Sequence, residues 1–197
     1  MNTECLTLGP YETNCYLIED NGKVLIIDPG SSPRRIIAAI GERKPCAILL
    51  THGHFDHTGA VDRLHSEYKI PVYACRQDDA LLHSDVLKGF NGESSVVKAP
   101  INWIEKNVLK IDGFIIKVFF VPGHSAGSLM FEINGQLFSG DTLFYEGVGR
   151  TDLYSGSYSQ LKQSLLILYE LPSDMIVYPG HGPRTTVGHE LAFNLFL

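Results

Sequence analysis

Positive charge is scarce in this sequence: 16 Lys and Arg stand against 22 Asp and Glu, giving a net charge of −6 and a pI near 5.7. A nucleic-acid footprint needs Lys and Arg gathered on one face, so no nucleic-acid partner is expected, and small or neutral substrates fit better. Long hydrophobic runs are also lacking. None approaches the roughly 18 apolar residues of a membrane span, and Met1 to Gly9 holds no basic segment followed by an apolar run. No membrane partner is therefore expected, and the cytoplasm is the expected location. Cysteine is limited to Cys5, Cys15, Cys46 and Cys75 with no Cys-x-x-Cys spacing, so reduced, half-buried core residues are expected rather than a disulfide frame. No repeat, low-complexity tract or linker interrupts the 197 residues, a length that suits a single domain, 1–197, with a sizeable core. Composition leaves the oligomeric state open.

Glycine is abundant instead, at 19 residues against an average share of about 7%, which marks many tight loops. Cys15 to Ile18 and Val24 to Asp28 are apolar runs joined through Asn21-Gly22, a hairpin signal that recurs at Asn134-Gly135. Pro33 suits a helix start, with Ile36, Ile37 and Ile40 as its apolar stripe and Gly41 as its stop. Ala47 to Leu50 reads as a buried strand. Ala60, Val61, Leu64 and Tyr68 mark a second amphipathic helix, followed by a strand over Val72 to Ala74 and a short helix around Ala80 to Leu82. Further on, Ile115 to Val121, Leu129 to Ile133 and Gln136 to Phe138 are strand-like, with a helix from about Gln160 to Tyr169 and a last strand over Met175 to Tyr178. Two strand-rich halves, each carrying helices, predict an α/β chain with two sheets packed face to face and helices outside. The stretch from Ser84 to Trp103 has no clear period and fits a lid or a loop.

Chemistry is concentrated in His52-Gly53-His54-Phe55-Asp56-His57, directly after a predicted strand. His52 and His54 are two apart on an extended segment, so their rings can face the same side, as two ligands of one metal must. Asp56 and His57 follow where the chain turns into a helix, which can redirect them toward a second metal. Crowding imidazoles and a carboxylate without a metal gains little and costs desolvation. Three more candidates each follow a glycine at the end of an apolar strand: His124, Asp141 and His181. The small neighbour leaves room for an ion and its water. Together these seven residues offer N and O ligands for two divalent ions, zinc foremost, with iron or manganese as alternatives. His65, His83 and His189 lie apart from the cluster and read as surface or satisfied histidines.

The order of these seven residues, with the early aspartate in Leu25-Ile26-Ile27-Asp28-Pro29-Gly30, resembles the metallo-β-lactamase superfamily over essentially the whole chain. Gly140-Asp141-Thr142-Leu143-Phe144 and Gly147-Val148-Gly149-Arg150 resemble the glyoxalase II group of hydroxyacylglutathione hydrolases and their short relatives. The resemblance implies a four-layer αββα sandwich of two mixed sheets with outer helices. It implies that His52, His54 and His124 hold one metal, that Asp56, His57 and His181 hold the other, and that Asp141 bridges them. Asp28 would brace the histidine loop without ligating. A metal-bridging hydroxide would attack a thioester carbonyl such as that of S-lactoylglutathione, with Asp56 orienting it and handling its proton. Arg150, and less directly Tyr145, would contact substrate.

The resemblance to full-length glyoxalase II ends near His181, after which 16 residues follow here in place of a glutathione-binding helical domain. Persulfide dioxygenases, with one iron and a similar Gly149-Arg150-Thr151-Asp152, are an alternative, as are lactonases and esterases of the same superfamily. A β-lactamase is disfavoured by the absence of a cysteine ligand near Asp141 and by His57 following Asp56. RNA-processing relatives need a basic surface that this chain lacks.

Overall fold

Both Asn-Gly pairs sit in the left-handed region, Asn21 and Gly22 at φ 51° and 77° and Asn134 and Gly135 at φ 51° and 73°, the conformation of a two-residue hairpin turn. In the computed structural model, which describes residues 1–86 and 96–197, the chain divides into two compact units, Met1–Glu105 and Lys106–Leu197.

The first unit is built on strands β1 (Asn2–Leu8), β2 (Thr13–Asp20), β3 (Lys23–Ile27), β4 (Lys44–Leu49), β5 (Val72–Ala74) and β6 (Ile101–Trp103). Among the described residues they form one sheet in the order β1-β2-β3-β4-β5-β6. The first three strands are antiparallel, and β3 through β6 pair in parallel. Parallel neighbours require crossovers. Helix α1 (Pro33–Ile40) supplies the first, and α2 (Phe55–Thr58) with α3 (Val61–Tyr68) the second. Pro33 opens α1, and Gly41 closes it at φ 59° with its N–H on the Ile37 carbonyl. The predicted stripe is real, since Ile36 and Ile40 are buried against Val24, Ile26, Ile48 and Leu64. Burial of each such side chain stabilises by about 1.5–3 kcal/mol. Helix α4 (Asp79–His83) follows a short 3-10 turn at Arg76–Asp78.

The second unit carries β7 (Val108–Ile111), β8 (Phe114–Phe120), β9 (Leu129–Ile133), β10 (Gln136–Gly140), the small hairpin β11 (Leu143–Phe144) and β12 (Gly147–Val148), then β13 (Ile176–Pro179) and β14 (Thr185–Thr186). Its main sheet runs β14-β13-β10-β9-β8-β7. Only β10 and β13 pair in parallel, and helix α5 (Tyr158–Leu165) lies in the crossover between them. Leu161 and Leu165 of α5 and Val187 of helix α6 (Val187–Phe193) are buried with Leu137, Leu143 and Val177. Two mixed sheets with helices are thus the predicted class and match the metallo-β-lactamase fold that the motifs imply.

The structure departs from the sequence reading in several elements. The edge strands β1, β6, β7 and β14 and helix α6 were not expected, and the helix expected to Tyr169 ends at Leu165 and continues as a 3-10 turn over Leu166–Glu170. Within the stretch from Ser84 to Trp103, the structure gives β6 at its end, while 87–95 lie outside the described residues, so the expectation of a lid falls there in part. Cys15, Cys46 and Cys75 are buried free thiols as expected, but Cys5 is exposed because it lies on edge strand β1. Among the described residues, no helix is long and apolar enough to cross a membrane.

Candidate metal centre

The motif loop of the first unit is held from below before any ligand is considered. Strand β3 ends at Ile27, and the next residue, Asp28, has a φ of 49° that turns its carboxylate back toward the end of β4. There Asp28 Oδ1 accepts from the Thr51 N–H at 2.8 Å, and Oδ2 accepts from the Thr51 hydroxyl at 2.5 Å. The Gly53 N–H donates to the buried Asp78 carboxylate at 2.8 Å. A Cβ at residue 53 would come within 2.7 Å of Leu81 Cβ, so glycine is required for this approach. His54 is extended at φ −67° and ψ 144°, and the single turn of α2 then swings Asp56 and His57 to a new direction.

The result is a tight imidazole group. The His52 ring centroid is 4.6 Å from that of His54 and 4.1 Å from that of His57. All three side chains are buried. His57 Nε2 lies 3.6 Å from Asp56 Oδ2, and the buried Thr13 hydroxyl donates to that same oxygen at 3.0 Å. Asp28, His52 and His57 bring potential ligand atoms within 4.8 Å of one another. Both Asp28 oxygens already accept hydrogen bonds, from Thr51 and from His57 Nδ1.

The second unit brings its three candidates together around one oxygen. His124 Nε2 and His181 Nε2 each lie 3.5 Å from Asp141 Oδ2. Gly123, at φ 147°, passes so close to α5 that a Cβ there would fall 2.4 Å from Leu161 Cα. The Gly180 N–H donates to the Gly140 carbonyl at 2.8 Å, tying the His181 loop to the strand that delivers Asp141. Two separate loops and one strand end therefore converge without the sequence showing any of the three as neighbours.

The hydrogen bonds made by the imidazole rings decide which ring nitrogen can meet a metal. An ionised carboxylate only accepts, so His57 Nδ1 carries the proton it gives to Asp28 Oδ2 at 3.0 Å. Thr51 spends its hydroxyl hydrogen on Asp28, so at 3.1 Å it accepts from His52 Nδ1. His124 Nδ1 donates to the Arg150 carbonyl at 2.8 Å. Each bond makes Nε2 the unprotonated nitrogen, the tautomer and orientation that metal-ligating histidines take from their outer partners. The residues present fit divalent metal ions.

The other candidates lie as follows. Arg150 is exposed, and its guanidinium holds Asp152 through two bonds of 2.7 and 2.8 Å, which pulls the Asp152 carboxyl down to about 2. Tyr145 is half exposed, stacks on His189 with centroids 5.0 Å apart, and is raised above the ordinary tyrosine range by its hydrogen bond to Glu146. His65, His83 and His189 pair with the Ile70 carbonyl, Asp79 and Glu146. Burial pushes the Cys15 and Cys75 thiols up, so neither offers a thiolate nucleophile at neutral pH. Sequence reasoning missed Thr13 and Asp78, which stand 43 and 25 residues from the groups they hold, with no local pattern to mark them.

A sequence profile described as the metallo-beta-lactamase superfamily matches residues 8–181. The chain is similar to hydroxyacylglutathione hydrolase GloC of Haemophilus influenzae, 35% identical over 208 residues that cover 100% of this chain and 98% of that protein. It is also similar to the crystal structure of the BLEG-1 B3 metallo-beta-lactamase, at a TM-score of 0.94 and 38% identity, covering 100% of this chain and 99% of that one. The crystal structure of TTHA1623 in a di-iron-bound form matches at a TM-score of 0.89 and 38% identity, covering 98% of this chain and 100% of that one.

Proposed function

The chain belongs to the metallo-β-lactamase superfamily and is a metallo-hydrolase of that kind; from this premise we propose that it cleaves an acyl thioester, as a glyoxalase II-like enzyme with two metal ions. One observation carries the binuclear reading. A single carboxylate oxygen, Asp141 Oδ2, faces both His124 and His181 at 3.5 Å, which suits a bridge with one histidine for each ion. The first unit offers two matching pairs, His52 with His54 and Asp56 with His57. Zinc or iron suits this N and O donor set, and the di-iron form of a similar protein supports iron.

Ions held there would polarise the substrate carbonyl and lower the pKa of a bound water from 15.7 toward about 7. The chain's own residues do the rest. Thr13 holds Asp56 through Oδ2, and the Asp56 carboxylate takes up and returns the proton of the attacking water. Asp28 and Thr51 hold the His57 and His52 rings with Nε2 forward. Arg150 would meet a carboxylate of the thiol half once that carboxylate competes with Asp152. A small-molecule thioester in the cytoplasm is the proposed partner, with neither nucleic acid nor membrane involved.

Support for the thioester comes from the 35% identity with hydroxyacylglutathione hydrolase over the full chain. Likeness to the B3 metallo-beta-lactamase makes lactam cleavage a second reading, because a lactam carbonyl would be attacked by the same groups. Turnover of S-lactoylglutathione, other acyl thioesters, lactones and a chromogenic β-lactam, with metal content measured on the same sample, separates them. Thioester hydrolysis well above lactam and lactone hydrolysis is expected. Lactam cleavage dominating, or oxygen uptake with glutathione persulfide, would reassign the substrate.

A further inference from the structure

Helix α6 grips the β11–β12 hairpin at its turn. Glu190 is a fully buried carboxylate, and each of its contacts has a defined role. Oε1 accepts from the Thr185 hydroxyl at 2.6 Å, while Oε2 accepts from the Glu146 backbone N–H at 2.9 Å and from the Asn194 amide at 2.8 Å. The Asn194 amide also donates to the Gly147 carbonyl at 3.1 Å. Next to them, His189 stacks on Tyr145 and sits 3.0 Å from the Glu146 carboxylate. Two residues of α6, His189 and Glu190, and Asn194 just after it therefore hold three consecutive residues of the turn, where Glu146 is kept at φ 51°.

The same hairpin touches all three candidate ligands of the second unit. It begins two residues after Asp141, and the Gly149 N–H returns to the Thr142 carbonyl at 3.4 Å. Residue 149 has no room for a side chain, because a Cβ there would meet the Asp141 carbonyl oxygen at 1.8 Å and His124 Nδ1 at 3.1 Å. The Arg150 carbonyl that follows accepts from His124 Nδ1, and the Phe144 ring meets the His181 ring edge-on at 6.2 Å. Asp141, His124 and His181 are thus each in contact with the hairpin or the residues that follow it.

We propose that Glu190, with Asn194, is a positioning residue for the metal centre: α6 clamps the β11–β12 hairpin, and the hairpin in turn sets the three ligands of the second unit. A buried carboxylate satisfied by three donors is a strong acceptor in a low-dielectric place, and losing its charge weakens every bond it makes. The proposal rests on Asp141, His124 and His181 being metal ligands.

The test is metal affinity, measured by titrating zinc against a chromophoric chelator, in the wild type, Glu190→Gln, Asn194→Ala, the double variant and Asp141→Asn. The control is Ile116→Val in β8, which removes one buried methyl group elsewhere in the second unit, with the melting temperature of every variant measured alongside. Glu190→Gln is expected to weaken affinity by roughly tenfold or more, as loss of outer-shell partners does, and Ile116→Val to leave it unchanged. Asn194→Ala should act in the same direction, with the double variant falling short of the product of the two. Glu190→Gln matching the control would overturn the clamp even where Asp141→Asn loses metal. Full metal binding by Asp141→Asn would instead overturn the ligand assignment on which the clamp rests.

Discussion

His57 Nδ1 lies 3.0 Å from Asp28 Oδ2, with both side chains buried. The pair fixes which nitrogen of His57 carries the proton and therefore which one is left to meet a metal ion. Asp28→Asn keeps the size but can present an N–H where an acceptor is needed. Metal affinity is expected to drop about 10–100-fold, the usual cost of an outer-shell loss, with the folded circular dichroism spectrum retained. Unchanged affinity would remove Asp28 from the site.

Asp56 is held at one oxygen by Thr13 and faces His57 at the same oxygen. Asp56→Asn should lower kcat by about a hundredfold or more, the range for loss of a positioned acid or base, while the protein still folds. Near-wild-type turnover at full metal content would contradict this role.

Two glycines separate steric from conformational demands. Gly149→Ala forces a Cβ into the Asp141 carbonyl oxygen, and overpacking of this kind costs roughly 1–3 kcal/mol. It should also weaken metal binding, because the displaced atoms belong to Asp141, the proposed bridging ligand. At Gly22, a Cβ meets nothing within 4 Å, but φ is 77°, so Gly22→Ala should cost about 1–2 kcal/mol and leave metal affinity alone. Equal effects on affinity would show that Gly149 is an ordinary loop glycine.

Arg150 and Asp152 form an exposed bidentate pair that holds the Asp152 carboxyl near 2. Because the folded value is depressed, the stabilisation is present above the unfolded value of about 3.9 and is lost as pH falls through about 2. Exposed pairs contribute little, so Asp152→Asn should barely move the melting temperature at neutral pH. Its effect should appear in binding: KM for a thioester with an anionic thiol half falls, whereas Arg150→Met raises it, with kcat nearly constant. No KM change in either variant would exclude Arg150 from substrate binding.

Much of this was legible in the sequence because the signals are local. Asn-Gly turns, the Pro33 start and the Ile36 to Ile40 stripe each depend on a few neighbouring residues, and the six-residue histidine motif offers its candidate ligands by spacing. Glycine before His124, Asp141 and His181 marked their strand ends correctly. Strands β6 and β14 escaped notice because three and two residues are too few to show an alternation, and β1 and β7 because only their last residues, Leu8 and Ile111, are buried, so neither has a buried face for an apolar pattern to mark. Thr13, Asp78 and Glu190 were invisible for another reason. Each acts on a partner tens of residues away, and an isolated Thr, Asp or Glu is indistinguishable from a solvated one until the fold places it. Cys5 failed similarly, since its exposure follows from its edge position.

Metal content of the purified and reconstituted chain is the most direct measurement. Two equivalents of zinc or iron per chain are expected, with Asp141→Ala losing affinity for both. A wild-type chain that saturates at one ion or none, or an Asp141→Ala variant that keeps two, would contradict a centre bridged by that carboxylate.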